Sequence, residues 1–371
     1  MINIAYYYTG KKENLDKLLH LEPTILIDNE LYARELTKYN YNIKIIKYDN
    51  VCYDIVVGDV DIAKNINAIK KVVINGEDKY TNRTQYLKKF DIDKILEAPQ
   101  KKDYKFSIIV PNYNNGDWIN KTIESVINQT YDNWEMYIID DMSNDNSIEV
   151  IKQYKDKRIT LIQNKIKLYN GGSRNVGILK AKKSNPDGYL LFIDSDDWLA
   201  NNDVLKTINS FSQDEDLITL DYQYYMNNQI REAGKCHYSN KDDLFMTIGC
   251  MCAVWCKCFK TSVSPLFEFN TLMEDRNFHY RLINRITSYA NLGKVTHTWN
   301  KMNSKSITTD KKQKYKGNLQ APIIWNNCAY RHIAGMLDLL DELENPRYRS
   351  FIEDRIQACI NNARCGIFLQ Y

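Results

Sequence analysis

The sequence lacks a strong charge of one sign, a long apolar run and a leader-like N-terminus. Lysine and arginine number 50 and aspartate and glutamate 47, so the formal net charge of +3 gives no argument for nucleic acid or an acidic partner. No run of about eighteen apolar residues occurs, which predicts no membrane span. The N-terminus has neither a basic segment nor a long apolar one, so we do not expect a signal peptide.

A disulfide framework is also absent. The 9 cysteines are an odd number and are not spaced as in a small disulfide-bonded domain, so we predict reduced thiols in a cytoplasmic protein. Cys250, Cys252, Cys256 and Cys258 lie in one short stretch, but their spacing lacks the Cys-x2-Cys pairs of structural zinc sites. A period of two instead places them on one side of a strand, where cysteine packs as a small hydrophobic residue.

The length and the patterning predict an α/β protein of two or three domains. With 371 residues the chain can bury a large core. Residues 1–100 alternate short β-branched or aromatic runs with helix-compatible segments, which predicts a small α/β domain of unknown role. Residues 98–104 are polar and predict a linker. The expected elements are strands at Ile2–Tyr8, Thr24–Ile27, Ile43–Tyr48, Asp54–Val57 and Val72–Asn75, and helices at Asn14–Leu19 and Leu31–Lys38.

A clearer α/β pattern begins at Lys105. Strands at Phe106–Val110, Glu135–Ile139, Ile159–Gln163 and Tyr189–Ile193 alternate with helical segments, which predicts a largely parallel sheet with right-handed crossovers. Polar clusters follow the ends of three of these strands. Because ligands of such sheets bind beyond the carboxyl ends of the strands, we expect these clusters to line one crevice. They are Asn112–Asn114, Asp140–Asp141 and Asp194–Asp197.

The last of these clusters is acidic. Asp194, Asp196 and Asp197 follow the apolar run Tyr189–Ile193 at once. Like charges this close repel, and each raises the pKa of its neighbours. A cation such as Mg²⁺ or Mn²⁺ would relieve the repulsion, because hard cations take oxygen ligands and Mg²⁺ commonly binds one or two carboxylates plus substrate phosphates. The alternative is a solvated acidic loop after a core strand.

A series of short motifs resembles the family 2 nucleotide-sugar glycosyltransferases, which have the GT-A fold. The resemblance covers residues 105–310 and implies a Rossmann-like, mostly parallel sheet flanked by helices. Residues 1–100 and 311–371 lie outside it. The motifs are Ser107–Asn114, Ile138–Ser143, Gly172–Gly177, Phe192–Asp197, Trp255–Lys257, Glu274–Asp275 and Lys301–Thr308.

The resemblance implies a donor site for a UDP-sugar. Tyr113 offers an aromatic face and Asn114 an amide, both suited to a nucleobase. Asp141 matches the family carboxylate that accepts the imide N–H of uracil, although guanine also offers a ring N–H. Alternatively, Asp140 and Asp141 form a turn that caps the next helix, and a calcium loop fits less well. The expected donor-binding residues are Pro111, Asn112, Tyr113, Asn114, Asp141, Arg174, Asn175, Asp194, Ser195 and Lys301.

The same resemblance implies metal ligands. Asp196 is expected to bind Mn²⁺ or Mg²⁺, Asp194 to bind the ribose or the metal, and Asp197 to bind or support the metal. Arg174 is expected to pair with these acids or with the diphosphate, because its planar guanidinium suits both.

The implied catalytic residues are Glu274 and Asp275, with Asp275 as the general base. Family members with this pair usually invert the anomeric carbon, so one in-line displacement is expected, in which a carboxylate deprotonates the acceptor hydroxyl. The alternative interpretation of the pair is an N-terminal helix cap.

One segment departs from the family pattern. Lys301 and Asn303 stand where family members often carry arginine and histidine. Lys301 can still hold a phosphate, but Asn303 is a weaker metal ligand, which leaves the third protein ligand open. His297 and His279 are candidates, and each also fits an ordinary packed or surface histidine.

The C-terminal part predicts a basic connector and two amphipathic helices. The connector is Lys311–Lys316, and the helices are Trp325–Leu343 and Arg347–Phe368. The helices could pack on the domain, form a homodimer or serve the acceptor. The predicted function is metal-dependent, inverting transfer from a UDP-sugar to a hydroxyl of an acceptor saccharide, lipid, protein or modified DNA base. The alternatives are a transferase specific for a modified base in DNA and a non-catalytic sugar-nucleotide-binding protein.

Overall fold

The computed structural model describes residues 4–8, 13–27, 43–45, 53–58, 68–74, 79–81, 84–87, 92–93, 102–232, 234, 244–245, 253–268, 274–304 and 321–364. The chain divides into two compact units. One comprises Met1–Lys101 and Thr287–Ala290, and the other comprises Lys102–Ile286 and Asn291–Tyr371. The predicted helix Leu31–Lys38, Cys250, Cys252 and the basic run Lys311–Lys316 lie outside the described residues.

The first unit contains a 7-stranded sheet in the order β3-β2-β1-β4-β5-β7-β6. Neighbouring strands are parallel except for the antiparallel pair β6 and β7. Among the described side chains of this sheet, Tyr6, Ile25, Val56 and Val72 are fully buried. The elements are β1 Ile4–Tyr7, α1 Glu13–Leu18, β2 Thr24–Ile27, β3 Ile43–Ile45, β4 Tyr53–Gly58, β5 Ala68–Ile74, β6 Lys79–Thr81 and β7 Thr84–Leu87.

The second unit contains a 9-stranded sheet in the order β10-β9-β8-β11-β15-β13-β16-β12, with β14 paired to β13. The strands β10, β9, β8 and β11 are mutually parallel, whereas β15 pairs antiparallel with both β11 and β13. The strands are β8 Phe106–Asn112, β9 Trp134–Asp140, β10 Ile159–Gln163, β11 Tyr189–Phe192, β12 Trp198–Leu199, β13 Leu217–Met226, β14 Gln229–Glu232, β15 Lys257–Lys260 and β16 Tyr289–Asn300.

Helices follow each of the parallel strands. They are α2 Ile119–Ile127, α3 Ser147–Ile151, α4 Tyr169–Ser184, α5 Val204–Phe211 and, later in the chain, α6 Glu274–Arg285. Ile123 and Val126 of α2 join Ile108, Ile138 and Leu191 of the strands in one buried cluster. This is the mostly parallel α/β fold that the sequence predicts, with an antiparallel extension beyond β11.

Two long helices end the described chain. They are α7 Ala321–Glu342 and α8 Pro346–Arg364, close to the two helices predicted for this part. Met336, Leu339 and Ile352 are buried among their apolar residues. Within the described ranges, no helix is both long and apolar enough to cross a membrane.

The cysteine stretch differs from its predicted form. Val254–Cys256 forms a turn of 3₁₀ helix, and β15 begins only at Lys257. Cys256 and Cys258 are both buried free thiols, as expected of small hydrophobic residues, but they do not share one continuous strand. The period of two therefore gave the wrong local geometry, because it cannot distinguish a strand from a tight turn followed by a strand.

Candidate active site

The carboxyl ends of the parallel strands bring their polar residues together. Asn112 at the end of β8 pairs in register with Asp140 at the end of β9. The Asn112 Nδ2 donates to Asp140 Oδ1 at 2.8 Å, and the Asn112 carbonyl accepts from the Asp141 amide at 2.8 Å. Asn112 is fully buried, and its Oδ1 has no hydrogen-bond partner among the described residues. A buried, unsatisfied acceptor at a strand end marks a place where a ligand donor would be favourable.

The loop after β8 is tied to the loop after β9 by a serine. Asn114 has a positive φ of 52°, a conformation that asparagine tolerates better than most residues. Its amide donates to Ser143 Oγ at 2.9 Å, and its Oδ1 accepts from the Asn144 amide at 2.8 Å. These bonds fix the first segment of the predicted donor site, which follows Pro111.

Asp141 points at the start of α4. Its Oδ1 accepts from the Leu168 amide at 2.7 Å and from Asn164 Nδ2 at 2.9 Å. Its Oδ2 accepts from the Tyr169 amide at 2.8 Å, and the Lys167 ammonium lies 3.4 Å away. A carboxylate is stabilised there by the N-terminal amides of a helix. Asp141 therefore caps α4, and not the helix that follows it directly in the chain.

Exposed apolar side chains flank Asp141 and its partners. Tyr113 is 47% exposed, and the Lys167 ammonium lies over its ring. Met142 and Tyr169 are each 50% exposed, and both have positive φ angles, of 64° and 58°. Backbone conformations of this kind are costly for residues other than glycine and often occur where a ligand binds. Both tyrosine rings are about half exposed, and Lys167 covers one face of Tyr113.

Asp197 is held inside the fold. Its Oδ2 lies 2.9 Å from His297 Nε2, and its Oδ1 accepts from the Asn300 amide at 2.8 Å. Burial lowers the pKa of His297 to about 4, so the imidazole is neutral. Burial, followed by the charge of Asp194, raises the pKa of Asp197. His297 stacks on Trp255 at 4.5 Å. This arrangement joins the acidic loop to β16 and supports its neighbours.

Asp196 accepts fewer hydrogen bonds than Asp197 among the described residues. Its Oδ2 accepts from Asn303 Nδ2 at 2.8 Å. Burial, and then the charges of Asp197 and Asp194, raises its pKa to about 7. Asn303 also donates to Asn115 Oδ1 at 3.0 Å, and Asn115 Nδ2 donates to Ser195 Oγ at 2.7 Å. Asn303, which stands where family members often carry histidine, thus contacts Asp196, the carboxylate expected to bind the metal.

A buried guanidinium joins two groups of acids that are far apart in sequence. Arg174 lies in α4, and its side chain is 3% exposed. Its NH2 donates to Asp194 Oδ1 at 2.8 Å. Its NH1 donates to Asp275 Oδ1 at 2.9 Å and to Glu274 Oε1 at 3.2 Å. The predicted donor-side and acceptor-side carboxylates therefore meet at one arginine, and Arg174 pairs with acids as expected.

Asp275 lies in the first turn of α6, where a helix N-terminus favours an anion. Burial is the main cause that raises its pKa to about 7, and the charges of Glu274 and Asp194 add to it, whereas Arg174 lowers it. A carboxyl group with a pKa near neutral can accept a proton at physiological pH. The helix-cap interpretation of the pair is compatible with this placement.

Three predicted site residues have other contacts. Lys301 lies over the rings of Tyr224 and Trp299, at 3.7 and 4.7 Å from their centroids. Asn175 exchanges two hydrogen bonds with the backbone of Phe267, at 2.9 and 2.7 Å. His279 is buried, with its Nδ1 against the Asp275 carbonyl, and burial lowers its pKa. His279 thus fits the packed histidine that the sequence left open.

The contacts that the acids already make determine how they could hold a metal ion. Among the described residues, no group of three or more His, Cys, Asp or Glu is arranged to hold one. Asp197 is occupied by His297 and the Asn300 amide, and Asp194 by Arg174. Asp196 accepts from Asn303 and forms no ion pair with a cationic side chain among the described residues. One carboxylate suits Mg²⁺ or Mn²⁺ that binds together with the phosphates of a substrate.

Residues that the sequence alone did not single out complete the site. They are Asn115, Thr122 and Ser143. The Thr122 hydroxyl donates to the Ser195 and Asp197 carbonyls at 3.0 and 2.7 Å. The Ser143 Oγ accepts from Asn112 Nδ2 and from the Asn114 amide. The sequence signal was weak for each: Asn115 directly follows a predicted residue, and Ser143 ends a motif. Thr122 lies in the middle of a helix and carried no signal.

Comparison with known proteins finds that part of the chain is similar to a family of enzymes. Residues 107–261 match the model of glycosyl transferase family 2. A UDP-Glc:alpha-D-GlcNAc-diphosphoundecaprenol beta-1,3-glucosyltransferase, WfgD, of Escherichia coli is 34% identical over 129 residues, 34% of this chain and 49% of that protein. A poly(ribitol-phosphate) beta-glucosyltransferase of Bacillus spizizenii is 32% identical over 120 residues, 31% of this chain and 18% of that protein. The chain therefore spans half or less of the length of these relatives.

Solved structures give a weaker likeness. The structure of S. aureus TarS 1–349 in complex with UDP-GlcNAc has a TM-score of 0.49 and 16% identity, covering 71% of this chain and 88% of that one. The mannosyltransferase PcManGT of Pyrobaculum calidifontis, in complex with GDP-Man and Mn²⁺, has a TM-score of 0.46 and 10% identity, covering 72% and 75%.

Proposed function

We propose, from the match of residues 107–261 to the model of glycosyl transferase family 2, that this protein transfers a sugar from a nucleotide sugar, a UDP-sugar in particular, to an acceptor hydroxyl. The UDP donor is supported by the name of the E. coli relative, which specifies UDP-Glc. The acceptor is a saccharide, lipid, protein or modified DNA base. The names of the two relatives favour a saccharide or polyol linked to phosphate.

The observation that carries the proposal is the position of Arg174. One buried guanidinium contacts Asp194, at the end of β11, and Glu274 and Asp275, at the start of α6. A transferase needs the leaving group and the acceptor base within one small space, because the reacting atoms must be held at about 3 Å from each other. A single side chain that touches both sets of acids supports such a space.

The donor would lie along the ends of β8, β9 and β11. Pro111, Asn112, Tyr113 and Asn114 supply a backbone segment, a buried acceptor and an aromatic face for the base and ribose. Asp141, Ser195, Asn175 and Lys301 belong to the proposed site or its support. Asn112 Oδ1 and Arg174 Nε are both buried without a partner among the described residues. In the proposed site the first would accept a hydrogen bond from the nucleotide sugar, and the second would donate one to it.

Asp196 would hold the metal ion, with Asp194 beside it and Asp197 supporting the loop. A bound Mn²⁺ or Mg²⁺ neutralises charge on the leaving diphosphate. Asn303 holds Asp196 in place through one hydrogen bond. The crowded carboxylates, of which Asp196 has a pKa of about 7, become more stable when a cation binds.

Asp275 would remove the proton of the acceptor hydroxyl while the bond from the anomeric carbon to the diphosphate breaks on the opposite face. A single displacement of this kind inverts the configuration at that carbon. Arg174 and the N-terminus of α6 favour the ionised form of Asp275, whereas burial opposes it. The balance keeps the base ready to accept a proton near neutral pH.

A panel of nucleotide sugars tests the proposal. UDP-glucose, UDP-N-acetylglucosamine, GDP-mannose and CMP-linked sugars would each be incubated with the protein and Mn²⁺, and release of the nucleotide would be measured with and without candidate acceptors. We expect release from UDP-sugars, faster with a saccharide or polyol acceptor. No release from any donor would contradict the proposal.

A further inference from the structure

The acidic pair proposed as catalytic begins a helix whose far side is covered by the C-terminal helices. Several polar side chains of α6 contact α7. Asn277 Nδ2 donates to the His332 carbonyl at 3.2 Å, and Asn284 Nδ2 donates to the Glu342 carbonyl at 3.0 Å. These residues are seven positions apart on α6, so they lie on one face of it.

Arg281 occupies the middle of that face. Its NH2 donates to the Gly335 carbonyl at 3.2 Å, and its Nε donates to Glu342 Oε1 at 3.2 Å. Its NH1 donates to Glu268 Oε1 at 3.0 Å, and both side chains of this ion pair are 12% exposed. A largely buried and directional pair is costly to break, because each lost contact leaves a charge without compensation.

Glu268 contacts both α6 and α7 at this point. Its other oxygen, Oε2, accepts from Asn277 Nδ2 at 2.7 Å. A Cβ at Gly335 would overlap Oε1 of Glu268, so α7 can approach this carboxylate only because Gly335 has no side chain. The carboxylate therefore fits between α6 and α7.

Aromatic packing joins α8 to the same helix. Tyr348 stacks on Phe245 at 4.0 Å, and Phe245 lies 5.1 Å from Tyr280 of α6. Phe351 of α8 lies 6.1 Å from Tyr280. Contacts with α7 and α8 thus extend along α6 from its first turns towards its end.

We propose that the hairpin of α7 and α8 is a positioning element of the active site, which sets the orientation of Glu274 and Asp275 through Glu268 and α6. The proposal rests on the function proposed above, and it adds a part of the chain, residues 321–364, that lies outside the family match. The hairpin touches none of the proposed donor-binding residues in the contacts described. Its effect is therefore expected on turnover and not on nucleotide affinity.

The key variant is Gly335→Ala. Alanine favours a helix more than glycine does, so the change does not weaken α7 by propensity. The added methyl group displaces the Glu268 carboxylate from Arg281 and Asn277. Leu337→Ala is the control, because Leu337 lies on the same helix and is 50% exposed.

Two measurements separate positioning from simple loss of fold. Hydrogen exchange of the α6 amides should become faster in Gly335→Ala and stay as in the wild type in Leu337→Ala, and it needs no active enzyme. Turnover of UDP-glucose with Mn²⁺ should fall at least about tenfold, since a displacement of about 1 Å can reduce a rate a hundredfold. UDP binding by calorimetry should keep its stoichiometry and affinity.

A double variant tests the route through Glu268. In Glu268→Ala with Gly335→Ala the methyl group no longer meets a carboxylate, so the double variant should match Glu268→Ala alone. Unchanged α6 exchange in Gly335→Ala, or a fall in turnover matched by an equal loss of UDP-binding sites, would overturn the inference. Absence of turnover in the wild type would refute the proposed function, and the exchange result would still decide the positioning role.

Discussion

At the scale of single residues, Asp141 has two possible partners, the start of α4 and a nucleobase. Its carboxylate accepts hydrogen bonds from Asn164 and from the amides of Leu168 and Tyr169. A carboxylate offers about four lone-pair sites, and the fourth, on Oδ2, faces the Lys167 ammonium at 3.4 Å, so a ring N–H would have to take the place of Lys167. The sequence-based prediction that Asp141 accepts the N3–H of uracil is compatible with this geometry and stays a prediction.

We expect UDP to bind more tightly than CDP, because cytosine carries no hydrogen at N3. The difference should be about 1–3 kcal/mol, the cost of leaving a buried polar group without a partner. Calorimetric titration of UDP, GDP and CDP with Mn²⁺ measures it directly. In Asp141→Asn the preference for UDP should shrink, since the amide nitrogen cannot accept. Equal binding of CDP and UDP to the wild type would show that Asp141 serves α4 alone.

The rate should depend on pH through Asp275. Burial raises the pKa of Asp275 to about 7, and a general base acts in its deprotonated form. The value of kcat/KM, which reports the free enzyme, should therefore fall about tenfold for each pH unit below about 7. Asp196, whose pKa is also raised to about 7, should add to this pH dependence. A flat kcat/KM between about pH 5 and pH 8 would exclude Asp275 as the base.

At the scale of the elements, α4 sets the distance between Arg174 and the sheet. A Cβ at Gly177 would lie 2.5 Å from Ile109 Cγ2, on β8. Gly177→Ala should therefore destabilise the protein by about 1–3 kcal/mol, the usual cost of overpacking a core. Urea denaturation measures the change, with Leu179→Ala as the control, since Leu179 is 57% exposed on the same helix. A neutral or stabilising effect of Gly177→Ala would show that α4 can move away from the sheet.

Elements with a strong local pattern could be predicted from the sequence. Ile119, Ile123, Val126 and Ile127 recur at the spacing of one face of α2, which predicts that they are buried; the first three are buried and Ile127 is partly buried. The parallel order of β8 to β11 followed from alternating strands and helices. The antiparallel pairing of β15 with β11 and β13 could not be predicted, because nothing in the local sequence specifies which distant strands pair.

The site residues that belong to the sequence motifs could be predicted from the sequence. Asp194, Arg174 and Asp275 meet, although 101 positions separate Arg174 from Asp275. Supporting contacts between distant amides and hydroxyls, such as Asn303 with Asn115, were not predictable, since any asparagine can bond to many partners. Lys301 was expected to hold a phosphate, but its ammonium lies over the rings of Tyr224 and Trp299. This contact could not be predicted, because neither aromatic residue carries a sequence signal for it.

At the scale of the whole molecule, the acidic cluster predicts dependence on a metal ion. Asp194, Asp196 and Asp197 lie within four positions, and burial together with mutual repulsion raises the pKa of Asp196. Sugar release from a nucleotide sugar should stop with excess chelator and return with Mn²⁺ or Mg²⁺. Asp196→Asn should require more metal for half-maximal activity. Full activity in excess chelator would exclude a metal role for these acids.

The proposed transferase requires one functional site that spans the family-matched residues and α6, which lies beyond them. Asp275 belongs to α6, whereas the proposed donor-binding residues other than Lys301 lie within residues 107–261, the family match. The proposed site therefore needs both the donor-binding residues of the family match and Asp275 of α6. A substitution that separates binding from chemistry tests this requirement.

The most direct measurement compares UDP binding and UDP-sugar turnover in Asp275→Asn, in the wild type and in Asp187→Asn, an exposed acid on the same unit. Asparagine keeps the shape of Asp275 and removes proton acceptance. Turnover of Asp275→Asn should fall by about two to four orders of magnitude with nearly unchanged UDP affinity, whereas Asp187→Asn should match the wild type. Turnover of Asp275→Asn near that of the wild type would reduce Glu274 and Asp275 to a helix cap and contradict the proposed mechanism.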